Sequence, residues 1–156
     1  MPTYAEDTSV STSKSVEEIQ RTLQRFGAAD FAITQGPRGV LIQFAMKNRL
    51  VKFTVLLPPL DEFARTPERR TVRSKADQLK AWDQACRQRY RALLLCIKAK
   101  LEAVESGIET FDEAFLSHLV LPSGDTIGKW YGPQVELIYS GKNPPQLPSI
   151  IEDKRD

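Results

Sequence analysis

The amino-acid sequence predicts an α+β fold: an α-β-β-β-α core in which a three-stranded antiparallel sheet is packed by a long amphipathic helix, with short C-terminal helices after it. Three observations lead there. Between residues 31 and 57, apolar residues recur at every second position in three short runs, which is the period of half-buried strands. Between residues 79 and 104 they recur three and four apart, the period of one helix face. The chain has 156 residues, 41% of them apolar and 27% charged, the size and balance of one globular domain able to bury a core.

Residues 1–14 are polar and rich in Ser and Thr, and they are expected to form an extended N-terminal arm with a short strand at residues 8–12. A single domain over residues 15–141 follows. Ser15 and Glu18 have the spacing of a capping box, and Val16, Ile19, Leu23 and Phe26 recur at helical spacing before Gly27, so the first helix is placed between them. Strands are predicted at residues 31–35, 40–46 and 50–57. The second puts Val40, Ile42, Phe44 and Met46 on one face, and the third does the same with Val51, Phe53, Val55 and Leu57. Gly36-Pro37-Arg38-Gly39 and Lys47-Asn48-Arg49 are short turns, which makes the three strands an antiparallel meander ended by Pro58 and Pro59.

Residues 60–74 hold few apolar anchors and are expected to be a mobile basic loop. The long helix is predicted over residues 74–106, its stripe formed by Leu79, Trp82, Cys86, Tyr90, Leu93, Ile97, Leu101 and Val104, with Gly107 as C-cap. A short helix capped by Thr110 with Glu113 presents Phe111, Phe115 and Leu119, and a turn follows at Pro122-Ser123-Gly124-Asp125. A last helix is placed from Pro133, a residue suited to the first helical position, to about Gly141. Residues 142–156, with Pro144, Pro145 and Pro148, read as an extended or disordered tail. Residues 93–97 are apolar nearly all round, more than three strands cover. The C-terminal helices or a second subunit are therefore expected to cover them, and a homo-oligomer is one expectation.

The apolar runs fall far short of the roughly 20 residues that a membrane span needs, and the acidic start lacks the basic and apolar regions of a signal peptide. No membrane association is expected, and the chain is placed in the cytoplasm. Cys86 and Cys96 lie ten residues apart on one predicted helix, about 15 Å of rise, which is too far for a disulfide.

Charge is distributed unevenly. Residues 31–100 hold fifteen Lys and Arg against five Asp and Glu, while the two ends hold seven against fifteen, so a net charge of +2 conceals a middle of +10. At about 100° per residue, Arg73, Lys80, Arg87, Arg91 and Lys98 fall within about 20° of one line if the long helix begins early enough to include Arg73, a stripe about 38 Å long. Arg69 and Arg70 precede it, and Lys47, Arg49 and Lys52 add positive charge at the second hairpin. Such a face suits a polyanion such as nucleic acid; a solvated face with no ligand, in which Asp83 pairs with Arg87, is the other reading. Trp130 and Tyr131, flanked by Gly128 and Gly132, are candidates for base stacking, with packing against the long helix as their alternative.

Catalytic chemistry finds little material. His118 is the lone histidine, near Phe111 and Phe115 on its predicted helix, and reads as a packed surface histidine rather than a base. One histidine and two distant cysteines build no zinc site, and the strands carry no carboxylates for a metal-dependent nuclease. Glu102, Glu105, Glu109, Asp112 and Glu113 read as helix-capping and charge-balancing groups. No phosphate-binding glycine loop occurs. The sequence therefore assigns no catalytic residue, metal or cofactor.

The element order resembles that of double-stranded-RNA-binding domains, whose last helix contacts phosphates near its start; Arg73, Lys75 and Lys80 stand in the matching place, although the usual Lys-Lys pair is absent. It also resembles the three-strand-plus-helix core of phage single-strand annealing proteins. More of the chain is covered by a third likeness. Tyr4-Ala5-Glu6-Asp7-Thr8-Ser9-Val10, Ala81-Trp82-Asp83-Gln84-Ala85-Cys86-Arg87, Lys98-Ala99-Lys100-Leu101-Glu102-Ala103-Val104-Glu105-Ser106-Gly107-Ile108 and Phe115-Leu116-Ser117-His118 resemble a family of small uncharacterised proteins of tailed bacteriophages and prophages. That resemblance implies a phage protein in the bacterial host cytoplasm and carries over no catalytic residue. The expectation is a non-enzymatic nucleic-acid-binding accessory protein of DNA replication or recombination, with single-stranded DNA favoured over a duplex. Its partners would be replication or recombination proteins of host or phage. The alternative is a protein-interaction module whose basic face meets a host or phage protein.

Overall fold

The computed structural model describes residues 4–36 and 38–142; Pro37 of the first turn and the tail beyond residue 142 lie outside them. The chain runs helix α1 (Thr12–Arg25), strands β1 (Ala29–Gly36), β2 (Gly39–Met46) and β3 (Arg49–Leu56), helix α2 (Lys75–Glu105), and helices α3 (Phe111–Phe115) and α4 (Ile127–Tyr139). The α+β order is thus the one that the sequence periods predict.

Alternation builds the sheet. The strands pair antiparallel in the order β1-β2-β3, with Ile33 opposite Ile42, Ile42 opposite Phe53, and Phe44 opposite Val51. Val40, Ile42, Phe44, Met46, Val51 and Phe53 are buried on one face, so register follows from the apolar side of each strand. Lys47 and Asn48 join β2 to β3 with φ of 50° and 58°, the two positive values of a tight hairpin turn whose twist matches the strands. Leu50 and Leu56 on the other face remain exposed.

α2 lies across the buried face, contributing Cys86, Tyr90, Leu93, Leu94, Ile97 and Leu101. Ser74 caps its start by accepting from the Asp77 N–H, and Gly107, at φ 72°, ends it. The first turns project beyond the sheet: Leu79 is exposed, and the 3-10 turn Leu60–Phe63 supports this end instead. Gln78 donates to the Leu60 carbonyl at 2.9 Å and the Trp82 indole to the Pro58 carbonyl at 2.8 Å. α3 begins with the predicted box, Thr110 and Glu113 bonding each other's backbone N–H. Phe115 is fully buried, edge-on to Phe44 at 6.0 Å and to Phe53 at 6.4 Å.

Four expectations are corrected. Residues 8–12 form no strand, and α1 begins at Thr12 with Ser11 as its cap; Ser15 is buried inside the helix, while Glu18 turns to Arg91 rather than to a capping partner. Residues 60–74 are more than a plain loop: Leu60–Phe63 is a helical turn, and Arg65 and Val72 bridge as a small hairpin. α4 begins at Ile127, capped by Thr126, and carries Pro133 in its interior instead of at its start. Finally, α1 shares the work expected of the C-terminal helices, since it joins Phe111, Ala114 and Phe115 of α3 in covering that stretch. Its Ile19 and Leu23 are fully buried in one cluster with Leu93, Leu94 and Ile97, and the ion pairs Glu18–Arg91 and Arg25–Glu102 mark its course along α2. Leu95 and Cys96 of that stretch remain exposed.

Candidate nucleic-acid interface

The hairpin before α2 is where chain geometry first gathers cations. The Thr66 N–H donates to the Thr71 carbonyl at 2.9 Å, the Arg70 N–H to the Thr66 carbonyl at 3.0 Å, and the Thr71 N–H to the Thr66 hydroxyl at 3.0 Å. The Arg65 guanidinium donates to the Arg70 carbonyl across the turn, and Arg70 takes a left-handed φ of 51°. Arg73 locks the base of the hairpin. Its N–H meets the Ala64 carbonyl at 2.9 Å, and its guanidinium donates to the carbonyls of Phe63 and Arg65 at 3.1 and 3.0 Å. Arg69 and Arg70 are left exposed at the tip. Carbonyl bonds leave the guanidinium charges in place, so the hairpin is a positively charged, internally braced projection.

Beside it, the first turns of α2 wall a cavity of about 570 Å³ whose lining includes Asp7, Thr66, Arg73, Asp77, Lys80 and Arg87. Of the five residues of the expected stripe, Lys80 and Arg87 meet Arg73 here, but Arg73 precedes the Ser74 cap and belongs to the hairpin rather than to the helix. The other two are sorted elsewhere. Arg91 is mostly buried, its guanidinium 2.9 Å from the Glu18 carboxylate, and holds α1 against α2. Lys98 is exposed further along α2. Arg87 is engaged by Asp83 and Gln84 on its own helix, the local pairing that the solvated-face reading anticipates.

The hairpin cations form a separate group. Lys47 and Arg49 line a second cavity with Val104 and Asp112, at the C-terminal end of α2 and about 36 Å along the helix from Lys80. Arg49 makes a two-pronged bond to Asp112, 3.1 Å to each oxygen, and the Lys52 ammonium donates to the Gly124 carbonyl. One basic stretch of sequence becomes two basic regions in space. Trp130 is 64% exposed and Tyr131 half-buried, their rings 6.0 Å apart. They sit on α4, which packs through Gly128 against Ser117, and neither lines the cavity at Arg73, Lys80 and Arg87.

The titratable groups with shifted behaviour lie away from this surface. His118 is half-buried with its ring stacked on Phe53 at 3.9 Å, and burial, with Lys100 nearby, lowers its pKa. Burial raises the Cys86 thiol. Hydrogen bonds from Thr110 lower Glu113, and the bond from Lys129 lowers Asp125. Glu102 and Asp112 of the acidic run pair with Arg25 and Arg49. Among the described residues no three His, Cys, Asp or Glu side chains converge as metal ligands, and no helix is long and apolar enough to cross a membrane.

Sequence reasoning missed Arg65 as a brace, together with the contact between the N-terminal arm and α2. The β-branched residues Thr66, Thr71 and Val72 around Pro67-Glu68-Arg69-Arg70 were the available sign of the hairpin. Comparison with family models, with curated proteins and with solved structures finds no match.

Proposed function

We propose that this chain is a non-enzymatic, nucleic-acid-binding accessory protein of a bacteriophage, acting in DNA replication or recombination in the bacterial host cytoplasm, with single-stranded DNA as the favoured ligand. The observation that carries the binding role is the braced hairpin: Arg69 and Arg70 project at its tip beside a cavity where Arg73, Lys80 and Arg87 converge. Phosphate binding needs cations placed at the surface, and here backbone carbonyls hold the Arg73 guanidinium while Asp83 and Gln84 hold that of Arg87. The phage setting and the strand type rest on the sequence resemblance alone.

The test is fluorescence anisotropy with labelled single-stranded DNA, duplex DNA and duplex RNA at low and moderate salt. Binding to single-stranded DNA is expected to be micromolar or tighter and to weaken with salt. Replacing Arg69 and Arg70 together by Ala, or Lys80 by Ala, is expected to weaken it for every sequence and to flatten the salt slope by about one for each phosphate no longer neutralised. Unchanged affinity and slope in both variants would exclude this face.

A second reading has its own observation. The face already holds an acidic peptide, because Gln84 and Gln88 bind backbone carbonyls of the arm that carries Glu6 and Asp7. An acidic segment of a host or phage protein is thus the alternative ligand. It predicts a partner that survives nuclease treatment, is lost in the Arg69, Arg70 and Lys80 variants, and accompanies an absence of nucleic-acid binding.

A further inference from the structure

The N-terminal arm is latched by its backbone. Gln84 donates from one side-chain nitrogen to the carbonyls of Glu6 and Thr8, at 2.8 and 3.0 Å, and Gln88, one turn later on α2, donates to the Tyr4 carbonyl at 3.2 Å. A turn shapes the latched segment, with Ala5 at φ 56° and the Thr8 N–H on the Ala5 carbonyl at 3.1 Å. The Gln84 and Gln88 bonds go to backbone carbonyls, which any arm sequence would offer. The placement of the arm's side chains is not indifferent to charge. Asp7 lines the cavity with Arg73, Lys80 and Arg87, and Glu6 and Asp7 both line the adjoining cavity of about 480 Å³ with Arg65 and Arg73.

A carboxylate there offers a cationic surface what a phosphate offers: negative charge and acceptor oxygens. The Gln84 and Gln88 bonds that latch it are neutral and lie at a largely exposed surface, where water readily replaces them. We infer that the acidic arm is an intramolecular competitor for the basic cavity, docked in the unliganded protein and displaced when a polyanion binds. This deepens the nucleic-acid reading and rests on it. If the competent state is the one with the arm released, the measured dissociation constant exceeds the intrinsic one by the reciprocal of the released fraction. Loosening the arm therefore tightens binding while the binding face itself stays the same.

Two variants loosen it by different physics. Gln88→Ala removes one latch bond and leaves net charge unchanged; Glu6→Gln with Asp7→Asn removes the competing charges and keeps the carbonyls that Gln84 and Gln88 bind. Glu136→Gln on α4 is the control for a general change in net charge. With labelled single-stranded DNA at low salt, both arm variants are expected to bind about three- to ten-fold more tightly than the parent, and the control within about two-fold. Adding the oligonucleotide to the parent chain is expected to speed hydrogen exchange at the Thr8 amide. Equal affinity in parent and arm variants, with unchanged exchange at Thr8, would overturn the competitor role and leave the binding face standing. Absence of binding in every variant would overturn the face, and the competitor role with it.

Discussion

His118 illustrates how a residue that looks chemical in a sequence is used for packing. Its ring lies on Phe53, which meets Phe115 edge-on, so the imidazole continues an aromatic cluster rather than facing a cleft. Burial disfavours its charged form, the positive Lys100 adds to this, and a hydrogen bond with the Lys52 backbone opposes it in part, leaving the pKa below its ordinary 6.5. The sign of the pH effect follows. The unfolded chain takes up a proton near 6.5 while the folded one resists, so the contribution of His118 to stability is complete above 6.5 and declines as pH falls from there towards the lower folded value. Urea midpoints are expected to fall between about pH 7.5 and about pH 5.5 in the parent, and to fall less in His118→Phe, which keeps the stack. Glu113 and Asp125 are lowered from 4.5 and 3.8, so their effects belong to more acid solutions. An identical decline in parent and variant would place the titrating group elsewhere. Arg91 makes the complementary point: a guanidinium counted as a ligand for phosphate serves instead as the tie between two helices.

Among the elements, α4 is held least firmly and carries the clearest local conflict. None of its residues is buried, and Pro133 in its interior has no N–H to offer the Lys129 carbonyl one turn back. It is seated by Ile127, which packs against the core and donates its N–H to the Leu119 carbonyl at 2.9 Å, and by the approach of Gly128 to Ser117, where a Cβ would lie 2.7 Å from the Ser117 carbonyl oxygen. Pro133→Ala is therefore expected to restore a hydrogen bond and slow exchange at the amides of residues 133–139, by at most the roughly 3 kcal/mol that an interior proline costs. Gly128→Ala should push the helix from its seat, destabilising by about 1–3 kcal/mol in urea. The reverse pattern would mean that the approach to Ser117 does not hold α4. The strands and α2 were legible because a period repeated over many residues is set by burial on one face, and burial decides the fold. The start of α4 was not, because the proline suggested an N-terminus that Thr126, bonding the Lys129 N–H, supplies seven residues earlier. The hairpin at residues 65–72 escaped notice for another reason: it is too short to show a period and is held by single hydrogen bonds. The cations of the site were legible as charge, but their sorting was not. That depended on α1 and the arm, which reach α2 from more than seventy residues away in sequence.

Over the whole molecule, folding sets the acidic ends of the chain against its basic middle. Glu18 meets Arg91, Asp112 meets Arg49, and the arm brings Asp7 to the cavity of Arg73 and Lys80 and both Glu6 and Asp7 to the adjoining one of Arg65 and Arg73. This interleaving makes salt a test that separates the two roles charge plays here. Arg49 and Asp112 are about half exposed and Arg25 and Glu102 more so, and such pairs contribute little to stability, whereas the core of Phe44, Phe115, Ile19, Leu23 and Ile97 is apolar and insensitive to screening. Raising salt from about 0.05 M to about 0.5 M is therefore expected to change the melting temperature by only a few degrees. Over the same range, polyanion binding at the hairpin and cavity should fall by orders of magnitude, because each bound phosphate releases counterions. In the arm variants lacking Glu6 and Asp7 the fall should be steeper than in the parent. The parent sheds an internal competitor as screening weakens the arm's own attraction to the cavity, and this partly offsets its weakening. A large drop in melting temperature with salt would instead assign the basic middle of the chain to holding the fold together. The hairpin tip would then be the place to look for residual binding, since Arg69 and Arg70 are exposed there.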